Sequence, residues 1–146
     1  MKAILQRVTK AKVTVNQEVV GSIGEGWYVL LGIKDSDTSS ECAYMANKIL
    51  NLKAFEDSAD QKKRISVTEM QGSILLVSNF TLYANCSKGL KPSFSQSANR
   101  EHAVKLYSHV LDSLKKSGLN IQQGAFGEFM KIETESIGPF TLILEH

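Results

Sequence analysis

The run Leu75-Leu76-Val77-Ser78-Asn79-Phe80-Thr81-Leu82-Tyr83-Ala84 constrains this chain more than any other stretch. It opens as uninterrupted apolar sequence rich in strand formers, the mark of a strand buried on both faces. It then sets Ser78, Asn79 and Thr81 where a core strand would carry Val or Leu. Side chains alternate across a strand, so a strand continued to Ala84 puts Asn79 and Thr81 on one face and Ser78 with Phe80 on the other. A buried polar group without a partner costs about 1–3 kcal/mol. Polar groups at this density mark either a satisfied hydrogen-bond network or a site.

With 146 residues the chain reads as one domain, residues 1–146, long enough for a real core. Net charge is only +2, so any nucleic-acid contact must come from a local patch rather than from the whole surface. The longest apolar runs, such as Trp27 to Ile33, are too short to span a bilayer, and no membrane role is expected. Met1 to Val8 alternates as a strand does and lacks the apolar segment of a signal peptide. Cys42 and Cys86 stand far apart without ligand-like spacing, which predicts reduced thiols and a cytoplasmic protein.

In chain order, residues 2–8 and 11–16 read as two strands and Val19–Ile23 as a third. Gly24-Glu25-Gly26 turns into the apolar strand Trp27–Ile33; these glycines lack the spacing of a phosphate loop. Asp37 or Thr38 with Glu41 forms a capping-box start for a helix to about Asn51, with Ala43, Ala46 and Leu50 inward. Leu52–Phe55 is a short strand, and Glu56–Lys63 is a charged loop whose basic end, Lys62-Lys63-Arg64, is a solvated tip. Residues 85–99 are loop. Glu101–Ser117 shows helical spacing at Ala103, Leu106, Tyr107, Val110, Leu111 and Leu114, with Gly118 as its cap. Two strands close the chain, residues 131–136 and 140–144, broken at Gly138-Pro139 because proline cannot donate to a ladder. This order predicts a mixed sheet system with two main helices packed on one side.

The chemistry available is narrow. No zinc or calcium spacing occurs, no G-x-S-x-G elbow, and no cysteine with a histidine partner. His102 and His109 are too widely spaced on their helix for a metal pair. A hydrolase built from this chain would rely on backbone amides, hydroxyls and the substrate's own groups. That suits an activated ester, where a single oxyanion donor contributes roughly 3–4 kcal/mol. Lys88, Lys91 and Ser93 suit a phosphate backbone, and Phe126 or Phe94 either packs in the core or stacks on a base.

Several motifs in order are familiar: Ala3-Ile4-Leu5-Gln6-Arg7-Val8, Val29-Leu30-Leu31-Gly32-Ile33 and Asn51-Leu52-Lys53-Ala54-Phe55-Glu56-Asp57. Next come Ser78-Asn79-Phe80-Thr81-Leu82-Tyr83, Lys88-Gly89-Leu90-Lys91-Pro92-Ser93-Phe94, Phe126-Gly127-Glu128-Phe129-Met130 and Gly138-Pro139-Phe140-Thr141. Through them the chain resembles the D-aminoacyl-tRNA deacylases, also called D-tyrosyl-tRNA deacylases, over essentially its whole length.

The resemblance implies a three-layer α/β/β domain with barrel-like sheets. It also implies a homodimeric cytoplasmic enzyme that hydrolyses the ester joining a D-amino acid to tRNA without metal or cofactor. Ser78, Asn79, Phe80 and Thr81 would form the catalytic pocket segment. Gly138 and Pro139, joined by a cis peptide, would enter that pocket from the partner subunit, with Arg7 as their buttress. Phe126, Gly127 and Met130 would hold the terminal adenosine, and Lys88 and Lys91 would track the tRNA. Selection would act by excluding an L side chain, so glycyl-tRNA would also be cleaved. The ribose 2′-hydroxyl would assist, amides near Phe80 and Thr81 would hold the oxyanion, and Thr81, having no evident base, would position substrate.

Three residues depart from the family pattern: Asn79 stands for Gln, Ile137 for a polar residue and Phe140 for a smaller aliphatic one. All three surround the selectivity element. A related deacylase that removes L-alanine from threonine tRNA is one alternative. A non-catalytic RNA-binding relative is the other, and retention of Arg7, Thr81 and Gly138-Pro139 weighs against it.

Overall fold

The computed structural model describes residues 1–146. The elements in chain order are β1 (Lys2–Val15), β2 (Glu18–Ile23), β3 (Gly26–Gly32), α1 (Ser39–Asn51), β4 (Phe55–Glu56) and β5 (Arg64–Ile65). They continue with β6 (Ser73–Ser78), α2 (Arg100–Lys115), β7 (Asn120–Gln123) and β8 (Lys131–Glu145).

β1 is one strand where the sequence suggests two. Its buried positions are Ala3 and Leu5, then Val8, then Ala11 and Val13, so the alternation changes phase twice. The pairing of β1 with β8 slips at the same places, between Gln6 and Val8 and between Val8 and Lys10. The backbone stays extended while the face it turns inward changes. Ala3 and Leu5 join the core beneath the helices, and Val8, Ala11 and Val13 join a second core inside the barrel.

β2 and β3 pair antiparallel with the two halves of β1, while β6 joins β3 and β7 joins β6 in parallel. β8 runs antiparallel along β1. The ends of this sheet, β2 and β7, meet without forming a ladder. A Cβ on Gly21 would lie 2.6 Å from the Gln123 carbonyl oxygen, so the absence of a side chain there permits the near-closure of the barrel. The sequence pattern does not reveal β7; its Asn120 and its two glutamines mask a strand that needs only one apolar residue inward, Ile121.

β3 and β6 form the wall between the two cores. Trp27, Val29, Leu31, Ile74 and Leu76 face the helix side, and Tyr28, Leu75 and Val77 face the barrel interior. The layers are therefore helices, wall and outer strands, the three-layer α/β/β arrangement with both helices on one side. α1 opens with the capping box: the Ser40 amide donates to Thr38 Oγ1 at 3.2 Å and the Thr38 amide to Glu41 at 2.6 Å. Its inward stripe is Cys42, Met45, Ala46 and Ile49; Ala43, expected inward, is exposed, and Leu50 is half-buried. α2 buries Leu106, Tyr107, Val110, Leu111 and Leu114, and Gly118 lies just beyond it at φ +78°.

Three smaller expectations shift. The strand expected at Leu52–Phe55 shrinks to the hairpin of β4 and β5, because Leu52 still caps α1 through Lys48. In the basic tip, Lys63 pairs with Asp57 and Arg64 with Glu56 at the surface. β8 is one strand across Gly138-Pro139, with a bulge at that pair. At the other end of the sheet the buried Met1 ammonium meets Asp37 at 2.6 Å, tying β1 to the entry of α1. No helix is long and apolar enough to cross a membrane.

Candidate active site

Parallel strands leave a crevice beyond their carboxyl ends. Here β3, β6 and β7 run parallel and end together, and the chain beyond each end supplies a wall. A cavity of about 590 Å³ opens there. Leu31 and Ile33 line it at the end of β3, Ser78, Asn79 and Phe80 at the end of β6, Phe126 to Met130 from the segment after β7, and Ala98, Arg100 and Ala103 around the start of α2. A volume of this size suits a small organic ligand.

The strand expected to reach Ala84 ends at Ser78, and Phe80–Tyr83 form a 3₁₀ turn. Asn79 is the reason. Its Oδ1 accepts the Thr81 amide at 3.1 Å and the Thr81 hydroxyl at 2.6 Å, capping the turn, while its own amide donates to Leu31 at 2.8 Å. Asn79 and Thr81 therefore do not share a sheet face; they satisfy one another. Ser78, Asn79 and Phe80 stand at the cavity, whereas Thr81 lies beside it, exposed.

The opposite wall is fastened to the sheet. Tyr107 of α2 donates its hydroxyl to the Leu76 carbonyl at 2.8 Å, and burial pushes that phenol's pKa well up. The Phe126 ring meets Tyr107 edge-on at 5.5 Å. Met130 packs on the barrel core, its sulfur 2.7 Å from where a Cβ on Gly124 would stand. Gly127 adopts φ +78°, a conformation that favours glycine, and the Arg100 guanidinium covers the space its side chain would fill.

Phe126, Gly127 and Met130 are thus brought to the same cavity as Ser78, Asn79 and Phe80. Lys88 and Lys91 are not; they are exposed on the loop closed by the Asn85–Ser93 bridge. Phe94 packs edge-on against Phe80 at 5.1 Å. Sequence reasoning missed Arg100, Glu128 and Phe129. The available signal for Arg100 was its position directly after the helix cap Asn99, but nothing in the sequence sets that helix end against Gly127.

Arg7, Gly138 and Pro139 lie elsewhere. Gln6 pairs with Thr141 and Val8 with Ser136, so Ile137–Phe140 bulge out opposite Arg7 alone. A bulge lets the strand continue on both sides of a proline, which is why one strand replaces the expected two. The Gly138–Pro139 bond is cis, and both residues are exposed. The Arg7 guanidinium sits 4.9 Å from the Phe140 ring centre and donates to the Ala54 carbonyl at 3.1 Å, gripping the root of the bulge. Neither Gly138 nor Pro139 lines the cavity of its own chain.

Fold and cavity define a half-closed α/β/β barrel with a ligand-sized pocket lined by amide, hydroxyl and guanidinium groups. The chain belongs to the D-Tyr-tRNA(Tyr) deacylase family, whose model matches residues 4–145. It is 43% identical over 146 residues to the D-aminoacyl-tRNA deacylase of Thermosipho melanesiensis, covering 99% of this chain and 97% of that one. It is 45% identical over 145 residues to the protein of the same name from Aquifex aeolicus, with the same coverage. The solved structure of the c-Myc DNA Unwinding Element Binding Protein matches with a TM-score of 0.91 at 43% identity, covering 100% of this chain and 99% of that chain.

Proposed function

We propose that this protein hydrolyses the ester between a D-amino acid and the terminal adenosine of tRNA, in the cytoplasm and as a homodimer. The observation that carries this reading is the single cavity in which the Ser78–Phe80 segment faces the Phe126–Met130 segment. The aminoacyl group lies against Ser78, Asn79 and Phe80, and the adenosine lies across Phe126, Gly127 and Met130. Lys88 and Lys91, exposed on their loop, contact the tRNA beyond the pocket. Phe80 is the first residue of its turn, so its amide has no partner within the turn and can take the oxyanion. The Thr81 amide is engaged by Asn79, which narrows the donor role to Phe80. The Thr81 hydroxyl also donates to an amide oxygen, which is no base, so Thr81 positions the turn and the ribose 2′-hydroxyl assists the attacking water. Thr81→Ala should lower kcat less than tenfold in a steady-state assay; complete loss in a folded protein would restore a nucleophilic role.

A second copy completes the site. None of the residues of β8 is buried, and Ile143 is 68% exposed. Pairing two copies over this strand covers it and lets each Gly138-Pro139 bulge enter the other's cavity, where backbone carbonyls exclude an L side chain. Glycine has no side chain to exclude, so glycyl-tRNA is also cleaved. The test is hydrolysis of matched D-tyrosyl-, L-tyrosyl- and glycyl-tRNA by the purified protein. Release from the D and glycyl esters with the L ester intact is expected. Cleavage of L-tyrosyl-tRNA at a similar rate would overturn the selectivity, and no cleavage at all would overturn the hydrolase reading.

A further inference from the structure

Arg100 takes part in none of the ion pairs of the molecule, and it is the only basic residue in the cavity lining. Its guanidinium lies against Gly127. Nη2, Cζ and Nη1 lie 3.4, 3.5 and 3.7 Å from the Cβ position of Gly127, so the group covers that glycine. Arg100 also opens α2 directly after the cap Asn99, where the helix's own amides add positive potential. In the same lining Phe129 leaves its ring 98% exposed, and Glu128, the only carboxylate there, makes no bond to Arg100. A cation and an exposed aromatic ring at one cavity are the pairing that holds single-stranded nucleic acid, one for the phosphate and one for the base.

We infer that Arg100 and Phe129 form a subsite for the nucleotide preceding the terminal adenosine, with Arg100 on the phosphate joining the two and Phe129 stacked on the preceding base. This rests on the hydrolase reading. The amino acid is esterified to the ribose of the terminal adenosine, so the phosphate next to that nucleoside leads back along the chain and out through the cavity mouth. Arg100 stands beside Gly127, in the segment assigned to the adenosine. Both residues are binding residues, remote from the scissile ester.

The experiment measures binding of an uncharged short RNA ending in cytidine-cytidine-adenosine over a salt series, beside turnover of D-tyrosyl-tRNA. Arg100→Gln should weaken binding about tenfold and lower the slope of log Kd against log salt by about 0.7, the value for one single-strand phosphate. Arg100→Lys should keep that slope, and Phe129→Ala should weaken binding about fivefold with the slope unchanged. In turnover, KM should rise with kcat within twofold. Parent-like Kd and slope in Arg100→Gln, or parent-like Kd in Phe129→Ala, would overturn the subsite. A parent that binds RNA in an Arg100-dependent way but cleaves no ester would sink the hydrolase reading and leave the subsite standing.

Discussion

β6 and β8 belong to one sheet and are treated oppositely by it. In β6, Ile74 to Val77 are all buried, Ile74 and Leu76 under the helices and Leu75 and Val77 inside the barrel. In β8, more than twice as long, no residue is buried. A parallel strand covered on both faces is fixed by its own chain, so the segment at its carboxyl end is held rigidly. For β6 that segment is the Ser78–Phe80 wall of the cavity. An antiparallel strand can leave one face to solvent, but in β8 that open face carries the exposed Ile137 and Ile143. The two halves of the proposed site thus come from opposite kinds of strand: one finished by the fold, the other left open for the second copy of the proposed dimer.

Breaking the β6 side should have the largest effect. Leu76→Ala removes a side chain packed in the helix-side core and should cost about 2–5 kcal/mol, measured as a shifted denaturant midpoint. Ile143→Lys attacks the β8 side instead. It should leave the far-UV circular dichroism of the chain intact, halve the mass in sedimentation, and lower deacylation about a hundredfold, roughly 2.7 kcal/mol. A variant that sediments as the parent does would remove β8 from the interface.

Arg7→Ala loosens only the root of the bulge, through Phe140 and the Ala54 carbonyl, and should lower turnover about tenfold with the dimer mass unchanged. Unchanged turnover would take Arg7 out of the site. The smallest effect belongs to the cap of α1. The Thr38 hydroxyl and amide hold the Glu41 carboxyl down to about 2, below its usual value. A lowered folded pKa stabilises above the ordinary carboxylate range and loses that contribution as pH falls through about 2. Thermal melting curves of the parent and Glu41→Gln should therefore differ at neutral pH and converge toward pH 2; a constant gap would remove Glu41 from the acid limb.

The elements that could be read directly are those whose pattern is local. α1 has its capping box in adjacent residues, α2 has its apolar stripe and a glycine just past its end, and β3 and the first part of β6 are continuous apolar runs. The errors share a cause. The two phase changes in β1 look like a gap because alternation in sequence reports which face is buried: between Leu5 and Val8 the strand passes from one core to the other, and between Val8 and Ala11 a register slip against β8 keeps it in the second core while the backbone continues. The turn after Ser78 looks like strand because Phe80, Leu82 and Tyr83 are apolar, although the Asn79 cap decides the conformation.

By itself the sequence determined the family, through motifs spread along the whole chain, and with it the layered fold and six of the thirteen residues that line the cavity. Those residues are identifiable singly because each motif is a few neighbouring positions. Tertiary structure alone decided that Ser78, Asn79 and Phe80 face Phe126, Gly127 and Met130 while Gly138 and Pro139 lie outside their cavity. It also decided that Arg100 rests on Gly127. These are contacts between the ends of separate strands and helices, fixed by strand order and by the near-closure of the barrel at Gly21, and no local pattern encodes them.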